Sequence, residues 1–279
     1  MILFIGKEGI INMDIVDYHI HSTNSFDGKS TVEETCEKAV EIGISEICFT
    51  EHFSVDPRDV SYGVLDYKRY SEEILKAREK FGERLIIGKG LEIGEPHLEN
   101  YKENLKNQLD KMDLDFIIGS VHNIDGVKLR TYMKDKDKDK YSLYYDYFRE
   151  VYDMVVNSDI DIVGHLDLMK RYAFEIYGNY NFQDYREIIG EILKQVINKG
   201  AGIEINGSGY ENKVGEPYPG KEVLTLYREL GGEIITVGSD SHYYENLAKH
   251  NLRMMNMLKE IGFKYIFTYR KREKRGILL

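Results

Sequence analysis

The feature that most constrains this chain is an alternation running from residue 15 to residue 261, in which short apolar runs of strand type are followed in turn by stretches of helical period. The strand-type runs are IVDYHIH (15–21), EICFTEH (46–52), RLIIGKGLEIG (84–94), FIIGSVH (116–122), DIVGHLD (161–167), GIEIN (202–206) and EIITVGSD (233–240). Ser30-Thr31-Val32-Glu33 reads as a capping box opening a helix that ends near Gly43. Further helices are predicted over 66–81, 98–112, 142–157, 183–199, 220–230 and 245–261, with KYIFTYR (264–270) as a terminal strand-like segment. Strict alternation implies parallel strands joined by helical crossovers. A chain of 279 residues suits a single domain, 1–279, since an α/β barrel takes about 250.

Alternation alone also fits an open doubly wound sheet. The strand ends favour a barrel. The first run ends in His19 and His21, the second in His52, the fourth in His122, and the fifth carries His165. The third run carries Glu92, and the seventh leads into Asp240 and His242. An open sheet gathers its site at one switch point, whereas a barrel brings the C-terminal ends of all its strands to one face. Alternate residues on a strand point the same way, so His19 and His21 project together, with Asp17 one step deeper and placed to orient a histidine ligand. Imidazole and carboxylate donors suit Zn, Mn or Fe(II). Each residue alone has an ordinary structural explanation; the joint pattern is what points to a metal site. His97 and His250 fall outside it and read as structural.

Composition narrows the partners. A net charge of −10 argues against a nucleic acid held mainly through its phosphates. It leaves a phosphorylated small molecule open, because a metal cluster supplies positive charge locally. Cys36 and Cys48 are the only cysteines, which fits buried thiols in a reducing cytoplasm better than a disulfide framework. No apolar run approaches the roughly 18 residues of a membrane span. KDKDKDK (134–140) reads as a solvated loop, and Met13 is a candidate start that makes residues 1–12 an extension.

At the strand-end residues the sequence resembles the polymerase-and-histidinol-phosphatase (PHP) family of metallophosphoesterases. The resemblance is carried by Asp17-Tyr18-His19-Ile20-His21-Ser22, Thr50-Glu51-His52, Gly90-Leu91-Glu92, Gly119-Ser120-Val121-His122, Gly164-His165-Leu166-Asp167 and Gly238-Ser239-Asp240-Ser241-His242. Phe26-Asp27-Gly28, the extension through Lys170-Arg171, and Glu204-Ile205-Asn206 followed by Glu216-Pro217-Tyr218-Pro219 are similar to its stand-alone histidinol-phosphatases. The resemblance implies a distorted (β/α)7 TIM-like barrel with two or three divalent ions. One ion would take His19, His21, Glu92 and Asp240; a second Glu92, His122 and His165; a third Asp27, His52 and His242. Some relatives have a histidine where Asp27 stands, which makes the third ion the least secure. The resemblance also implies hydrolysis of L-histidinol phosphate in histidine biosynthesis, with Glu92, Asp240, His242 and Arg171 acting on the phosphate.

Arg171 and Lys170 are the expected phosphate clamp, since a guanidinium matches phosphate oxygens. Lys213 is a candidate substitute for an arginine that relatives carry after the Ser-Gly. Glu51, Glu95, Asp167 and Glu216 are candidates for the substrate's amine, with Tyr18, Phe53 and Tyr218 as walls; Glu51 and Asp167 are equally readable as supports of His52 and His165. Two alternatives remain at this level: another phosphomonoester (a phosphotyrosine protein or a nucleotide 3′ end), or a metal-binding module without turnover. The sequence leaves oligomeric state open.

Overall fold

A computed structural model of the chain describes residues 4–6, 9–11, 14–135 and 137–279. Met13, the candidate start, lies outside them. The seven apolar runs form β1 (Val16–Ile20), β2 (Glu46–Phe53), β3 (Ile86–Gly94), β4 (Phe116–Ser120), β5 (Ile162–Val163), β6 (Gly202–Asn206) and β7 (Ile235–Gly238). They pair in parallel, in sequence order, as one seven-stranded sheet. The outer strands then meet. His21 N–H donates to Ser241 O (2.9 Å) and Asp240 N–H to His19 O (2.8 Å), so the sheet curls into a nearly closed, distorted barrel.

Helices clothe the barrel: α1 (Val32–Glu41), α2 (Tyr67–Phe81), α3 (Lys102–Leu109), α4 (Lys140–Asn157), α5 (Lys170–Tyr177), α6 (Phe182–Asn198), α7 (Lys221–Glu229) and α8 (Asn251–Ile261). In α1 the buried positions Val32, Thr35, Cys36 and Ala39 make one stripe, the i, i+3, i+4, i+7 spacing of a helix lying on a sheet. Its capping box is Thr31 with Glu34, one residue later than the sequence reading placed it. Cys36 and Cys48 are buried free thiols, and burial pushes Cys36 up to about 12.

Two local readings change, and the expected terminal strand finds its place outside the barrel. DIVGHLD yields a strand of only two residues, because His165 turns the chain at φ 21° just past it. Helix α4 begins at Lys140 inside the charge repeat, with Asp139 accepting from Ser142 N–H as its N-cap. KYIFTYR is no barrel strand: β8 (Tyr265–Arg270) folds back antiparallel on β9 (Glu273–Leu278). That hairpin lies across the N-terminal mouth. Tyr269 N–H donates to the Tyr18 hydroxyl (3.0 Å), which donates to Glu46 (2.5 Å) at the start of β2. Lys271 and Arg272 backbone N–H groups donate to Asp115, just before β4. Phe116 packs within the opening edge-to-face with Tyr18 and tilted against Tyr269.

Candidate metal centre

At the opposite, C-terminal mouth, the structure brings all nine expected donors together. Glu92 on β3 is fully buried and stands at the centre. Ring nitrogens of His19 (3.3 Å), His21 (3.5 Å), His52 (2.9 Å), His122 (3.3 Å) and His165 (2.8 Å) surround its two oxygens. The parallel register sets this up, with His52 opposite Glu92 across β2 and β3. Asp240, held at φ 57° just past β7, faces His21 Nε2 (3.4 Å) and His19 Nε2 (3.7 Å). Asp27 reaches over the top, 3.1 Å from His242 Nε2 and 3.6 Å from His52 Nε2.

Donor atoms fall into four groups that lie within 4.8 Å of one another: His19–His21–Asp240, His19–Glu92–His165, His52–Glu92–His122 and His21–His52–His242. His52 thus stands between Glu92 and Asp27 rather than with Asp27 alone. Buried polar atoms normally have partners, yet His19 Nε2, His21 Nε2, Glu92 Oε2 and Asp27 Oδ1 have no hydrogen-bond partner. Lone pairs that point at one another in a dry pocket are what a bound cation satisfies. The donor set therefore fits divalent metal.

Electrostatics agree. Burial works against ionising Glu92, but the charges of His19, His122 and His52 outweigh it and hold the carboxyl well below the usual range. Asp240 is likewise held low against its burial, chiefly by His19 and His21. Burial lowers His52 too, yet Glu92 and Asp27 carry it up to about 10. His21 goes the other way, pushed far down by burial and by the neighbouring His52 and His242.

Supporting residues differ from expectation. Asp17 does not touch a histidine ring. It accepts from the backbone N–H groups of Ser239 (2.9 Å) and Ala248 (2.8 Å), tying β1 to the loops beyond β7, and burial lifts it to about 6. The orienting role falls to Glu204 on β6, a residue to which the sequence reading assigned no role. Its Oε1 accepts from His19 Nδ1–H (2.7 Å), which leaves Nε2 free to face the cluster, and its Oε2 accepts from His165 N–H (2.8 Å). Gly238 is what admits it, since a Cβ there would sit 2.1 Å from Glu204 Oε1. A carboxylate between two isoleucines of a buried strand was the available signal.

Glu51 does not hold His52 through its ring. It accepts from Ser22 and Ser25, and the Ser25 hydroxyl lies 3.2 Å from His21 Nδ1. Glu95 clasps the backbone N–H groups of His122 and Asn123. Tyr18 lies at the far end of the barrel.

A cavity of about 380 Å³ opens over the centre, lined by the donors other than His19 and His21 and by Lys128, Arg130, Arg171, Leu129, Leu168 and Tyr172 among others. Arg130 and Arg171 approach the Tyr172 ring (5.8 and 5.9 Å to its centroid), and among the described residues neither forms an ion pair. Lys170 does not line the cavity: its ammonium is buried against Asp167 (2.9 Å), Glu216 (2.8 Å) and Pro217 O. Lys213 is exposed on the surface and pairs with Glu175, outside the cavity. Lys128 and Arg130 went unnoticed in the sequence, although Asp125-Gly126, both at positive φ, mark the hairpin turn that carries them inward. His97 and His250 pair with Glu150 and Glu211, away from the centre.

Seven parallel strands, with imidazole and carboxylate donors gathered beneath a cation-lined cavity, define a barrel of the metal-dependent hydrolase class. The chain belongs to the PHP domain family, whose model matches residues 17–208. It is 30% identical over 268 residues to the histidinol-phosphatase of Lactococcus lactis subsp. lactis, covering 92% of this chain and 95% of that one. It is 28% identical to a probable histidinol-phosphatase of Clostridium acetobutylicum, covering 91% and 96%. The crystal structure of histidinol phosphate phosphatase from Lactococcus lactis, complexed with zinc, L-histidinol and phosphate, matches with a TM-score of 0.86 at 27% identity, covering 95% of this chain and 100% of that one.

Proposed function

We propose that this chain is a histidinol-phosphatase that hydrolyses L-histidinol phosphate to L-histidinol and phosphate in histidine biosynthesis. The observation that carries the reading is the cluster of donors, with buried atoms of His19, His21, Glu92 and Asp27 left without a partner, under a cavity that Lys128, Arg130 and Arg171 help to line, in a chain that matches a zinc-, L-histidinol- and phosphate-bound histidinol phosphate phosphatase over 95% of its length. His19, His21, Glu92 and Asp240 would hold one divalent ion, Glu92, His122 and His165 a second, and Asp27, His52 and His242 a third, the metal being Zn, Mn or Fe(II). Such ions supply charge for the phosphoryl oxygens and make water acidic enough to attack near neutral pH. The protein's own contribution is positioning. Glu204 fixes the tautomer of His19, Ser120 donates to Glu92 (2.6 Å), and the apolar flank of Leu129 and Leu168 limits water. Arg171, with Arg130 and Lys128, faces the cavity to receive phosphate.

We read the chain as one domain acting on a small phosphate ester in the cytoplasm, without nucleic-acid or membrane partners. Among the described residues no helix is long and apolar enough to cross a membrane.

Two measurements bear on this reading. The metal-loaded enzyme should prefer L-histidinol phosphate over p-nitrophenyl phosphate, phosphotyrosine and 3′-nucleotides by at least about tenfold in kcat/KM, and should restore growth without histidine to cells lacking their own histidinol-phosphatase. Preference for another of these esters, with no rescue, overturns the substrate assignment. Arg171→Ala removes charge-assisted bonds worth about 1.5–3 kcal/mol, so kcat/KM should fall roughly 10- to 150-fold with metal content unchanged. An unchanged kcat/KM returns Arg171 to the surface.

A further inference from the structure

The ester this site is read to accept carries an ammonium group on the carbon beside the ester methylene. The arginines repel that charge, and a carboxylate outside the proposed ligand set is the partner that would bind it most strongly. Four carboxylates line the cavity: Asp27, Asp59, Glu92 and Asp240. Three belong to the proposed ligand set. The acidic residues singled out from the sequence are all committed elsewhere, Glu51 to serines, Glu95 to the His122–Asn123 backbone, and Asp167 and Glu216 to Lys170. Asp59 remains.

Its surroundings are those of an anion held ready for a cation. Oδ1 accepts from the Ser61 backbone N–H (2.8 Å) and hydroxyl (2.5 Å), and Oδ2 accepts from the Asn123 side-chain amide (3.0 Å). All three donors are neutral. A carboxylate has about four acceptor positions, so at least one stays open. Among the described residues no cation pairs with Asp59, and the adjacent Arg58 is bound instead to Asp56 (2.7 Å). Position is fixed as well, because the same Asn123 amide also donates to the buried Glu95 (2.8 Å). Asp59 faces the donor cluster across Gly94, where an added Cβ would stand 3.6 Å from His122 Nδ1 and 3.9 Å from Asp59 Oδ2. The missing side chain leaves room for about one methyl group between His122 and the carboxylate, on the wall of the cavity that all three residues line.

We propose that Asp59 determines specificity by binding the ammonium of the phosphate ester, an assignment that rests on the histidinol-phosphatase reading. The test compares L-histidinol phosphate with its analogue lacking the amine, 3-(imidazol-4-yl)propyl phosphate, on the metal-loaded enzyme. The unaltered protein should favour the amine-bearing ester by at least about tenfold in kcat/KM, the order of a charge-assisted hydrogen bond. In Asp59→Asn, and in Asp59→Ala, which avoids setting one amide against Asn123, that ratio should collapse towards one while bound metal and Tm hold. If the unaltered protein turns over both esters equally well, the assignment of Asp59 falls, while the substrate reading stands or falls on the ester preference and growth rescue described above. If it favours L-histidinol phosphate, and either folded variant keeps the ratio, only the role of Asp59 falls.

Discussion

Removing divalent metal should abolish phosphatase activity, and adding Mn, Zn, Co or Fe(II) should restore part of it. A phosphate monoester hydrolyses extremely slowly unaided, and nothing else in the cavity generates a strong nucleophile at neutral pH. The measurement is turnover after chelation, with metal quantified by elemental analysis; full activity in verified metal-free protein would sink the assignment. Protons give a second readout. In the metal-free protein His52 titrates at about 10, so at pH 7 its ring carries a proton that ligation must expel. Metal uptake should therefore release protons, and affinity should rise with pH. The same shift bears on stability. A histidine raised from 6.5 to about 10 stabilises the metal-free fold fully below pH 6.5, and that contribution is lost as pH climbs through about 10. The Tm of metal-free protein should fall over that window.

Glu92→Gln should be the most damaging single substitution at the centre. The amide keeps the shape, but it removes the one negative charge that five imidazoles share. Breaking a buried charge pairing costs about 3–5 kcal/mol of stability, so Tm should fall. Losing even a residue that supports a ligand costs about 10- to 100-fold in metal affinity or activity, so losing a ligand that serves two ions should lower kcat/KM by at least about a hundredfold. Bound metal should fall by more than one equivalent, since Glu92 serves two of the proposed ions. Asp27→Ala is the control: Asp27 touches only His52 and His242, and its loss should remove mainly the third ion. Full stoichiometry in both variants would disprove the ligand assignment.

What was legible in the sequence follows from burial. Parallel barrel strands are covered on both faces, so β1 to β7 stand out as apolar runs, and a histidine or glutamate inside such a run is conspicuous. The extent of β5 was not legible, because it is set by the backbone angle of His165. Nor was β9: EKRGIL is mostly exposed and carries its charges outward. Lys170 and Arg171 are neighbours on one helix, and only the rotational phase of α5 decides that the lysine turns into the protein and the arginine towards the cavity. Lys213 failed as a candidate for a related reason, since proximity in sequence to a strand end says little about where a long loop carries a side chain.

The hairpin across the N-terminal mouth has a consequence for traffic. With Tyr18, Phe116 and Tyr269 closing that end and side chains filling the barrel interior, the cavity has its neck at the C-terminal mouth. Ester enters and alcohol and phosphate leave by the same passage, and no through-flow separates arrivals from departures. Released phosphate meets Lys128, Arg130 and Arg171 on its way out. If these groups gather the ester as proposed, they would also detain the anion it yields, and clearing the neck would become part of every catalytic cycle.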